Sequence, residues 1–334
     1  MNAYQRTLAT VRGEPRDRLS CQPIFMTFAA RLAGISYQRY VTEASALVEA
    51  QLRLCETFGI DVVSCCSDAW REAHDCGAEL RYFDEAPPTC SSHLLADKSR
   101  LSSMRLPVGG LGPRMSDRVE AVTRFRQAVG GEIPILGWVE GPVAEAADLR
   151  GLNELMLDTV DDLPFVLELF EFATQMEIVF ARAQVEAGAD IIGIGDAAAS
   201  LVSRAFYEEH ALAFEQRIID AVHEAGALVR LHVCGNASHL LECFRRLGPD
   251  LVDIDYPVPF AGIRERIGPE TVLLGNVDPV AVVRDGSPQR IEAAVGACHR
   301  EAGDRFMVGA GCEIPPDTPE ENVQALVGYA RSHE

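Results

Sequence analysis

A histidine and a cysteine lie two residues apart in the sequence LVRLHVCGN, at positions 232 and 234. This apolar, β-branched segment is typical of a buried strand, and alternate side chains of a strand point to the same face. His232 and Cys234 can therefore reach one ion. Cys312 ends the segment FMVGAGC, where small residues permit a close approach. One imidazole and two thiolates suit Zn²⁺ and leave a fourth position for water or substrate, which is typical of catalytic zinc.

Each of these three residues has a plainer interpretation when it is taken alone. A His-x-Cys pair often arises by chance, and cysteine is one of the most buried residue types, so Cys312 could be a small core residue. Together, at the ends of two predicted strands, they favour a metal site. Asp255 ends another predicted strand and could supply a displaceable carboxylate at the fourth position. The other cysteines show no Cys-x-x-Cys spacing and are interpreted as packing residues.

Short apolar runs alternate with longer amphipathic stretches from residue 22 onward, and these elements must position the candidate ligands. Each apolar run predicts a buried strand. The predicted strands are 22–28, 60–65, 132–139, 190–195, 227–233, 251–255, 271–276 and 305–311. Helical patterns lie near 43–58, 117–129, 160–187, 204–225, 237–247, 260–267, 279–302 and 319–333.

Strict alternation of strands and helices predicts a parallel sheet. Eight such units can close into a barrel, so we predict an α/β fold that consists of a single (β/α)8 TIM barrel. A doubly wound open sheet is the alternative. We expect residues 1–20 to be an N-terminal cap and 21–334 to be the barrel, with the longest insertion at 66–115, where Gly and Pro are frequent.

Further polar residues follow the predicted strands, where the chemistry of such barrels takes place. Asp68 follows the second strand, and Asp196 ends the fourth in GIGDAAAS. Asp196 could orient substrate or a metal ligand, or it could cap a helix. Asn276 and Asp278, in GNVDP, could line a cofactor pocket or stabilise a turn that contains proline.

The net charge excludes some classes of partner. The chain of 334 residues carries a formal charge of −20, so its surface would repel phosphate backbones and anionic lipid. We therefore expect no nucleic-acid partner and no membrane association. No apolar run approaches the roughly 20 residues that span a bilayer, and the N-terminal segment has no apolar signal core. These features predict a cytoplasmic protein.

Several segments resemble the uroporphyrinogen decarboxylase superfamily in order and spacing. They are LHVCGNASHLL, LLGNVDPVAVV, VGAGCEIPPDTPEENVQAL and GADIIGIGDAAASLVSRAFYEEHALAF. In DVVSCCSDAWREAHDCGAEL, the residues Asp68, Glu72 and Gly77 resemble the methyltransferase branch. The resemblance extends from about residue 20 to the C-terminus and implies a closed (β/α)8 barrel.

The superfamily contains two chemistries that the sequence separates. Porphyrinogen decarboxylases carry an arginine-rich segment after the first strand, which grips substrate carboxylates without a metal. The corresponding stretch here, FMTFAARLAGISYQRY, retains Arg31 and Arg39 but breaks the motif. The methylcobamide:coenzyme M methyltransferase branch binds zinc through a His-x-Cys pair and a distant Cys, and His232, Cys234 and Cys312 match those positions.

The resemblance to the methyltransferase branch also implies roles for other residues. Asp255 best matches an acidic residue that can complete the zinc site, although glutamate is more usual there. Asp68 and Asp196 are further candidates for catalytic roles, and Asn276 and Asp278 for cofactor binding. The chain has no Asp-x-His-x-x-Gly motif for a cobalt ligand, so the corrinoid is expected on a separate partner protein.

Three hypotheses follow. The first is a zinc-dependent methyltransferase that moves a methyl group between a corrinoid on a partner protein and a small thiol acceptor or methylated donor. The second is a metal-independent decarboxylase of a uroporphyrinogen-like substrate. The third is a non-catalytic barrel that binds metal or a corrinoid protein. The sequence leaves donor, acceptor, direction of transfer and oligomeric state open.

Overall fold

The computed structural model describes residues 1–106 and 111–333. Seven strands form one parallel sheet in the order β1-β4-β5-β6-β7-β8-β9, and β2 and β3 form an antiparallel pair. The strands are β1 (Val63–Ser64), β2 (Glu79–Arg81), β3 (Thr89–Ser92), β4 (Ile135–Glu140), β5 (Ile191–Gly195), β6 (Leu228–Val233), β7 (Leu251–Ile254), β8 (Val272–Gly275) and β9 (Phe306–Met307).

The segment around Cys21 links the two ends of the curled sheet. Cys21 forms a parallel bridge with Val308, next to β9. On its other side, the backbone N–H of Asp61, next to β1, donates to the carbonyl of Cys21 at 2.9 Å. The predicted barrel architecture is thereby confirmed as a TIM-barrel-like α/β fold.

Helices cover the parallel sheet, and short 3-10 or π turns precede several of them. The helices are α1 (Ala3–Arg12), α2 (Thr27–Ala33), α3 (Tyr37–Thr42), α4 (Ala44–Phe58), α5 (Arg71–Asp75), α6 (Pro113–Val129), α7 (Pro142–Arg150), α8 (Leu152–Asp161), α9 (Leu163–Ala187), α10 (Arg204–Phe206), α11 (Leu212–Glu224), α12 (Leu241–Leu247), α13 (Ile263–Ile267), α14 (Pro288–Ala302) and α15 (Glu320–Ser332). None of these helices has the length and apolarity that a membrane span requires.

The first predicted strand, 22–28, is wrong. Pro23 has no N–H to give to a neighbouring strand, and helix α2 begins at Thr27 inside the predicted range. The Glu313 carboxylate fixes the start of that helix, because it accepts both the backbone N–H and the hydroxyl of Thr27 at 2.6 Å. Only the segment next to Cys21 keeps the extended path that closes the sheet.

Other differences concern the predicted helices. The sequence pattern missed α7 altogether. The helix predicted over 160–187 corresponds to α9, which begins at Leu163 with Pro164 in its first turn, and the pattern also missed nearly all of α8. The insertion predicted over 66–115 contains α5 and the β2–β3 hairpin, while its residues 107–110 lie outside the described part.

The core follows from the composition of the strands. All five residues of β5 and all six of β4 are buried, as expected for parallel strands that helices cover. Each large apolar side chain that is fully buried in this way contributes about 1.5–3 kcal/mol relative to an exposed one. The helical part of the expected N-terminal cap is α1, and the division of the chain at residue 20 stays a prediction.

Candidate active site

His232 lies at the carboxyl end of β6, where the sheet opens towards the loops. Its backbone pairs with Gly195 on one side and with Asp253 on the other. Gly195 leaves room there, because a Cβ atom would lie 3.0 Å from the Trp138 ring nitrogen and 3.1 Å from a Glu140 oxygen, so a larger residue would force these side chains to shift. The imidazole is buried, and its ring centroid lies 6.3 Å from that of Trp138.

A tight turn after β6 presents Cys234. Gly235 has a φ of +84°, a left-handed conformation that strongly favours glycine. The Asp255 carboxylate fixes this turn, since it accepts the backbone N–H groups of both Gly235 and Tyr256. Asp255 thus supports the loop that carries Cys234, and its oxygens are outside the close cluster that the thiols form with His232.

The small residues before Cys312 let its chain approach the same place. A Cβ atom at Gly311 would lie 2.2 Å from the backbone nitrogen of Tyr256, so no larger residue fits without movement. As a result, the sulfurs of Cys312 and Cys234 are 3.9 Å apart, and His232 Nε2 lies 3.1 Å from the Cys234 sulfur. We call His232, Cys234 and Cys312 the thiol cluster.

The thiol cluster fits a zinc ion by geometry and by chemistry. Its three donor atoms all lie within 4.8 Å of one another, and no other such group occurs in residues 1–106 and 111–333. Zn–S bonds of about 2.3 Å place two tetrahedral sulfur ligands about 3.8 Å apart, close to the observed 3.9 Å. One nitrogen and two sulfurs are also a donor set that zinc prefers.

Buried charges orient the imidazole. His232 Nδ1 lies 3.2 Å from the backbone carbonyl of Asp253 and 3.5 Å from its carboxylate, which in turn accepts from Arg230. A proton on Nδ1 therefore leaves Nε2 facing the thiols. Burial lowers the pKa of His232, but Asp253 and Cys312 more than offset it and raise that pKa to about 9.

The two thiols differ in acidity. Hydrogen bonding from Cys234, together with His232, lowers the pKa of Cys312 to about 4 against the opposing effect of burial. The same hydrogen bond and burial raise the pKa of Cys234 well above that of a free thiol. These directions favour one thiolate paired with a protonated His232, so metal binding would have to displace the protons of both His232 Nε2 and Cys234.

A cavity of about 760 Å³ opens beside Cys234 and Gly235. Its other walls come from α7, from the loop after β5 and from the insertion after β1. Most of the lining is apolar or small, with carboxyl groups at a few points. The remaining lining residues are Ala69, Trp70, His93, Glu140, Ala144, Ala147, Asp148, Gly151, Leu152, Asn153, Glu154, Ala197, Ala198, Ser200 and Leu201.

Buried carboxyl groups adjoin this cavity, and we call them and their central arginine the acid cluster. Glu140 and Asp148 line the cavity itself. Arg71 is completely buried and contacts Glu140 at 2.8 Å and Glu72 at 3.1 Å. Burial, only partly opposed by Arg71, raises the pKa of Glu140 to about 7. The buried members are Glu72, Glu140, Glu145, Glu177 and Arg71, and Asp148 is a partly exposed member.

The structure places Asp196 and Asp68 behind the cavity walls. Asp196 is fully buried and accepts the backbone N–H of Ala144 at 2.7 Å, so it holds the start of α7. Asp68 accepts from Arg114 at 2.6 Å and from the backbone N–H of Trp70 at 3.1 Å. Burial opposes ionisation of Asp68, but Arg114 and Arg71 outweigh it and lower its pKa. Neither carboxylate lines the cavity.

Asn276 and Asp278 are also engaged with the backbone. The Asn276 amide donates to the carbonyls of Asp255 and Val258 at 3.1 and 2.7 Å. One Asp278 oxygen accepts the N–H groups of Val280 and Ala281, both at 2.8 Å. Their predicted role in cofactor binding stays a prediction, whereas the alternative, a stabilised turn, matches these contacts.

Sequence reasoning did not find Asp148 or Arg71. Both lie within helices, where a charged residue normally indicates a solvent-exposed face, so their places at the cavity and behind its wall leave no mark in the sequence pattern. The only signal was indirect, because Arg71 lies in the segment that also contains Asp68 and Glu72 and that resembles a known family.

Comparisons with known proteins agree with this architecture. The family model described as uroporphyrinogen decarboxylase (URO-D) matches residues 2–333. A methylcobamide:CoM methyltransferase, MtbA of Methanosarcina mazei, is 29% identical over 98% of this chain and 97% of its own. A uroporphyrinogen decarboxylase of Anaeromyxobacter sp. is 26% identical over 96% of each chain.

A solved structure extends the comparison to three dimensions. The structure of a methyltransferase from Methanosarcina mazei superimposes with a TM-score of 0.90, at 25% identity, over 99% of both chains. The matched family model and this superposition both cover nearly the whole chain. The chain therefore belongs to the uroporphyrinogen decarboxylase (URO-D) family.

Proposed function

We propose that this protein is a zinc-dependent methyltransferase that transfers a methyl group between a corrinoid on a partner protein and a small thiol. The observation that carries the proposal is the thiol cluster at the edge of a cavity large enough for a small substrate. The similarity to proteins named methylcobamide:CoM methyltransferases supports the same chemistry.

His232, Cys234 and Cys312 would hold the metal, which supplies Lewis acidity at an open position where a thiol can lose its proton at neutral pH. The residues around them prepare that position. Asp253 keeps the free electron pair of His232 Nε2 directed at the cluster by accepting at Nδ1. Asp255 acts as a positioning residue, since it fixes the turn that carries Cys234.

The cavity wall would exclude water from the reacting groups and leave one side for the corrinoid protein. Leu152 and Leu201 line the cavity and are 41% and 58% exposed, so apolar surface surrounds its opening. We expect the partner protein to present its corrinoid there. A reducing cytoplasm would suit this site, because both cysteine ligands must stay free of disulfides.

The decarboxylase hypothesis fits the same fold less well. Its substrate carries several carboxylates, yet no Lys or Arg lines the described part of the cavity beside Cys234. Arg39 is exposed and pairs with Glu43, and Arg31 lies at a different surface cleft beside Asp84. Without a metal and without arginine side chains, such a cavity would bind the carboxylates of this substrate weakly.

The proposal can be tested by measuring metal content and methyl transfer on one preparation. We expect close to one zinc per chain, transfer from free methylcobalamin to a small thiol, and loss of that transfer when a chelator removes the metal. Restoration by added zinc completes the test. A protein that takes up no zinc under reducing conditions would contradict the proposal, and release of carbon dioxide from a porphyrinogen without metal would support the decarboxylase.

A further inference from the structure

The charged side chains that line the cavity beside the thiol cluster are acidic, which is unexpected for a site that would bind a small anionic thiol. Three carboxyl side chains line it, those of Glu140, Asp148 and Glu154. No lysine or arginine lines it among residues 1–106 and 111–333. Arg71, which contacts Glu140, is completely buried behind the wall and also pairs with Glu72.

Asp148 is the carboxyl group in this wall that has no partner. It lies on α7, is partly exposed where it lines the cavity, and its side chain accepts no hydrogen bond from any described residue. Its backbone carbonyl is used, since His93 donates to it at 2.9 Å. Burial, together with the nearby Glu140 and Glu72, raises the pKa of Asp148 well above its usual value. A ligand that places a positive charge beside the Asp148 carboxyl group is therefore expected to bind favourably.

The neighbouring cations cannot take that place. Arg150 also lies on α7, but it is already paired with Asp158 at 2.8 Å and lies 3.7 Å from Glu154. Arg114 is paired with Asp68 at 2.6 Å. The positive charges close to the cavity are therefore committed to other carboxylates, and Asp148 faces the cavity without one.

We propose that this cavity selects small thiols whose far end is cationic, such as aminothiols, and that Asp148 recognises the cationic group. This inference rests on the proposed function, because it assumes that the thiol end binds at the thiol cluster. A thiol that ends in a sulfonate or carboxylate is disfavoured.

The selectivity follows from the cost of burying charge. A sulfonate in this cavity would lose water and meet carboxyl groups with no cation to compensate it. An ammonium group would instead meet Asp148, which can then ionise to form a charge-assisted hydrogen bond. The Trp70 ring, which also lines the cavity, is a second group that attracts cations.

The test uses thiols that differ only at the far end. The affinities of 2-aminoethanethiol, 2-mercaptoethanol and 2-mercaptoethanesulfonate for the zinc-loaded protein are measured by calorimetry, together with their three-carbon homologues. We expect the better aminothiol to bind about tenfold more tightly than the sulfonate of equal length, as for a hydrogen bond to a charged group.

Asp148→Asn then assigns the preference to one residue. The exchange keeps the size of the side chain and breaks no hydrogen bond among the described residues, and Asp148→Ser provides a second variant. We expect either to bring the two affinities within about threefold of each other. The control is Asp161→Asn, which removes an exposed carboxylate that does not line the cavity, and it should keep the preference. Comparing ratios between proteins cancels the different acidities of the thiols.

The outcomes separate the two proposals. Equal binding of aminothiol and sulfonate, or tighter binding of the sulfonate, overturns the selectivity and leaves the methyltransferase intact. A preference that survives Asp148→Asn and Asp148→Ser overturns the role of Asp148. If the protein carries stoichiometric zinc and binds none of these thiols, the proposed thiol chemistry fails, and the selectivity fails with it.

Discussion

The thiol cluster and the acid cluster adjoin one cavity, but they differ in how fully their polar atoms are paired. In the thiol cluster every donor atom has a neighbour within the group, and the distances match those of a single ion. In the acid cluster, both carboxylate oxygens of Glu145 and of Glu177 are buried and have no hydrogen-bond partner among the described residues. One group is arranged to bind a cation, and the other holds more carboxyl groups than its arginine can neutralise.

The two clusters also differ in the elements that build them. The thiol cluster comes from the end of β6 and from the segment after β9, two strands that β7 and β8 separate in the sheet, with glycines that allow close approach. The acid cluster comes from α5, α7 and α9, packed around the end of β4. Buried acids without partners destabilise a fold, so the acid cluster should lower stability, whereas its two members that line the cavity, Glu140 and Asp148, are accessible to a ligand. Perturbing each cluster separately tests this division.

The largest effect is expected from Cys312→Ala. Removing one of three ligands leaves too few donors for a stable zinc site, so zinc content should fall from near one to near zero per chain. Methyl transfer should fall about 100-fold or more for the same reason. Plasma mass spectrometry on protein with an unchanged circular dichroism spectrum measures the first effect.

Cys90→Ala is the matched control for that loss. Cys90 lies in the β2–β3 hairpin and donates to the Ser92 carbonyl, away from the thiol cluster. It should retain its zinc. If Cys312→Ala retained stoichiometric zinc as well, the metal would be held elsewhere, and the thiol cluster would not be the zinc site.

Arg71→Met should produce the largest effect on stability. The variant removes the one charge that compensates Glu72 and Glu140, and breaking a buried pair in this way costs about 3–5 kcal/mol. Zinc content should stay unchanged, because no ligand is touched. Arg39→Met is the matched control, since the exposed Arg39–Glu43 pair should leave urea unfolding almost unaltered. Equal effects of the two substitutions would show that Arg71 does not compensate the acid cluster.

These contrasts explain which parts of the site could be predicted from the sequence. His232 and Cys234 were recognisable because the strand period of two places both on one face, and the run around them is apolar enough to identify the strand. The barrel was predictable for a similar reason, since most of the buried strands are continuous apolar runs. The path of residues 22–28 was not, because Pro23 cannot donate to a neighbouring strand, residues 22–26 form neither strand nor helix, and α2 begins at Thr27, where Glu313 accepts its backbone N–H.

The acid cluster could not be predicted from sequence patterns. Its members are spread from Glu72 to Glu177 over three helices and one strand, and no spacing relates them. Glutamates in helices are ordinarily exposed, so Glu145 and Glu177 are indistinguishable by type from surface residues. Only the packing of α7 and α9 against each other brings these carboxyl groups together.

The next largest effect is expected on the pH dependence of stability, which should depend on the protonation of Glu145. Burial raises its pKa well above the usual value, so the folded protein keeps a proton that the unfolded chain releases above about pH 4.5. The folded state then binds more protons than the unfolded state, and the free energy of unfolding falls as pH rises from 5.5 to 7.5. Glu145→Met should reduce this decline by up to about 1.4 kcal/mol per pH unit. Urea titrations at three pH values measure the difference, and parallel curves for variant and parent would contradict a buried, protonated Glu145.

The smallest effect is expected from Asp278→Ala, outside both clusters. The Asp278 carboxylate accepts two backbone N–H groups at the start of the turn Pro279–Arg284, and losing such a cap costs about 1 kcal/mol. Asp278→Asn should recover most of that stability, because asparagine caps almost as well. Methyl transfer per bound zinc should be unchanged in both variants, since Asp278 does not line the cavity. A raised KM for the corrinoid substrate in Asp278→Ala, at full stability, would instead assign Asp278 to cofactor binding and extend the functional surface beyond the two clusters.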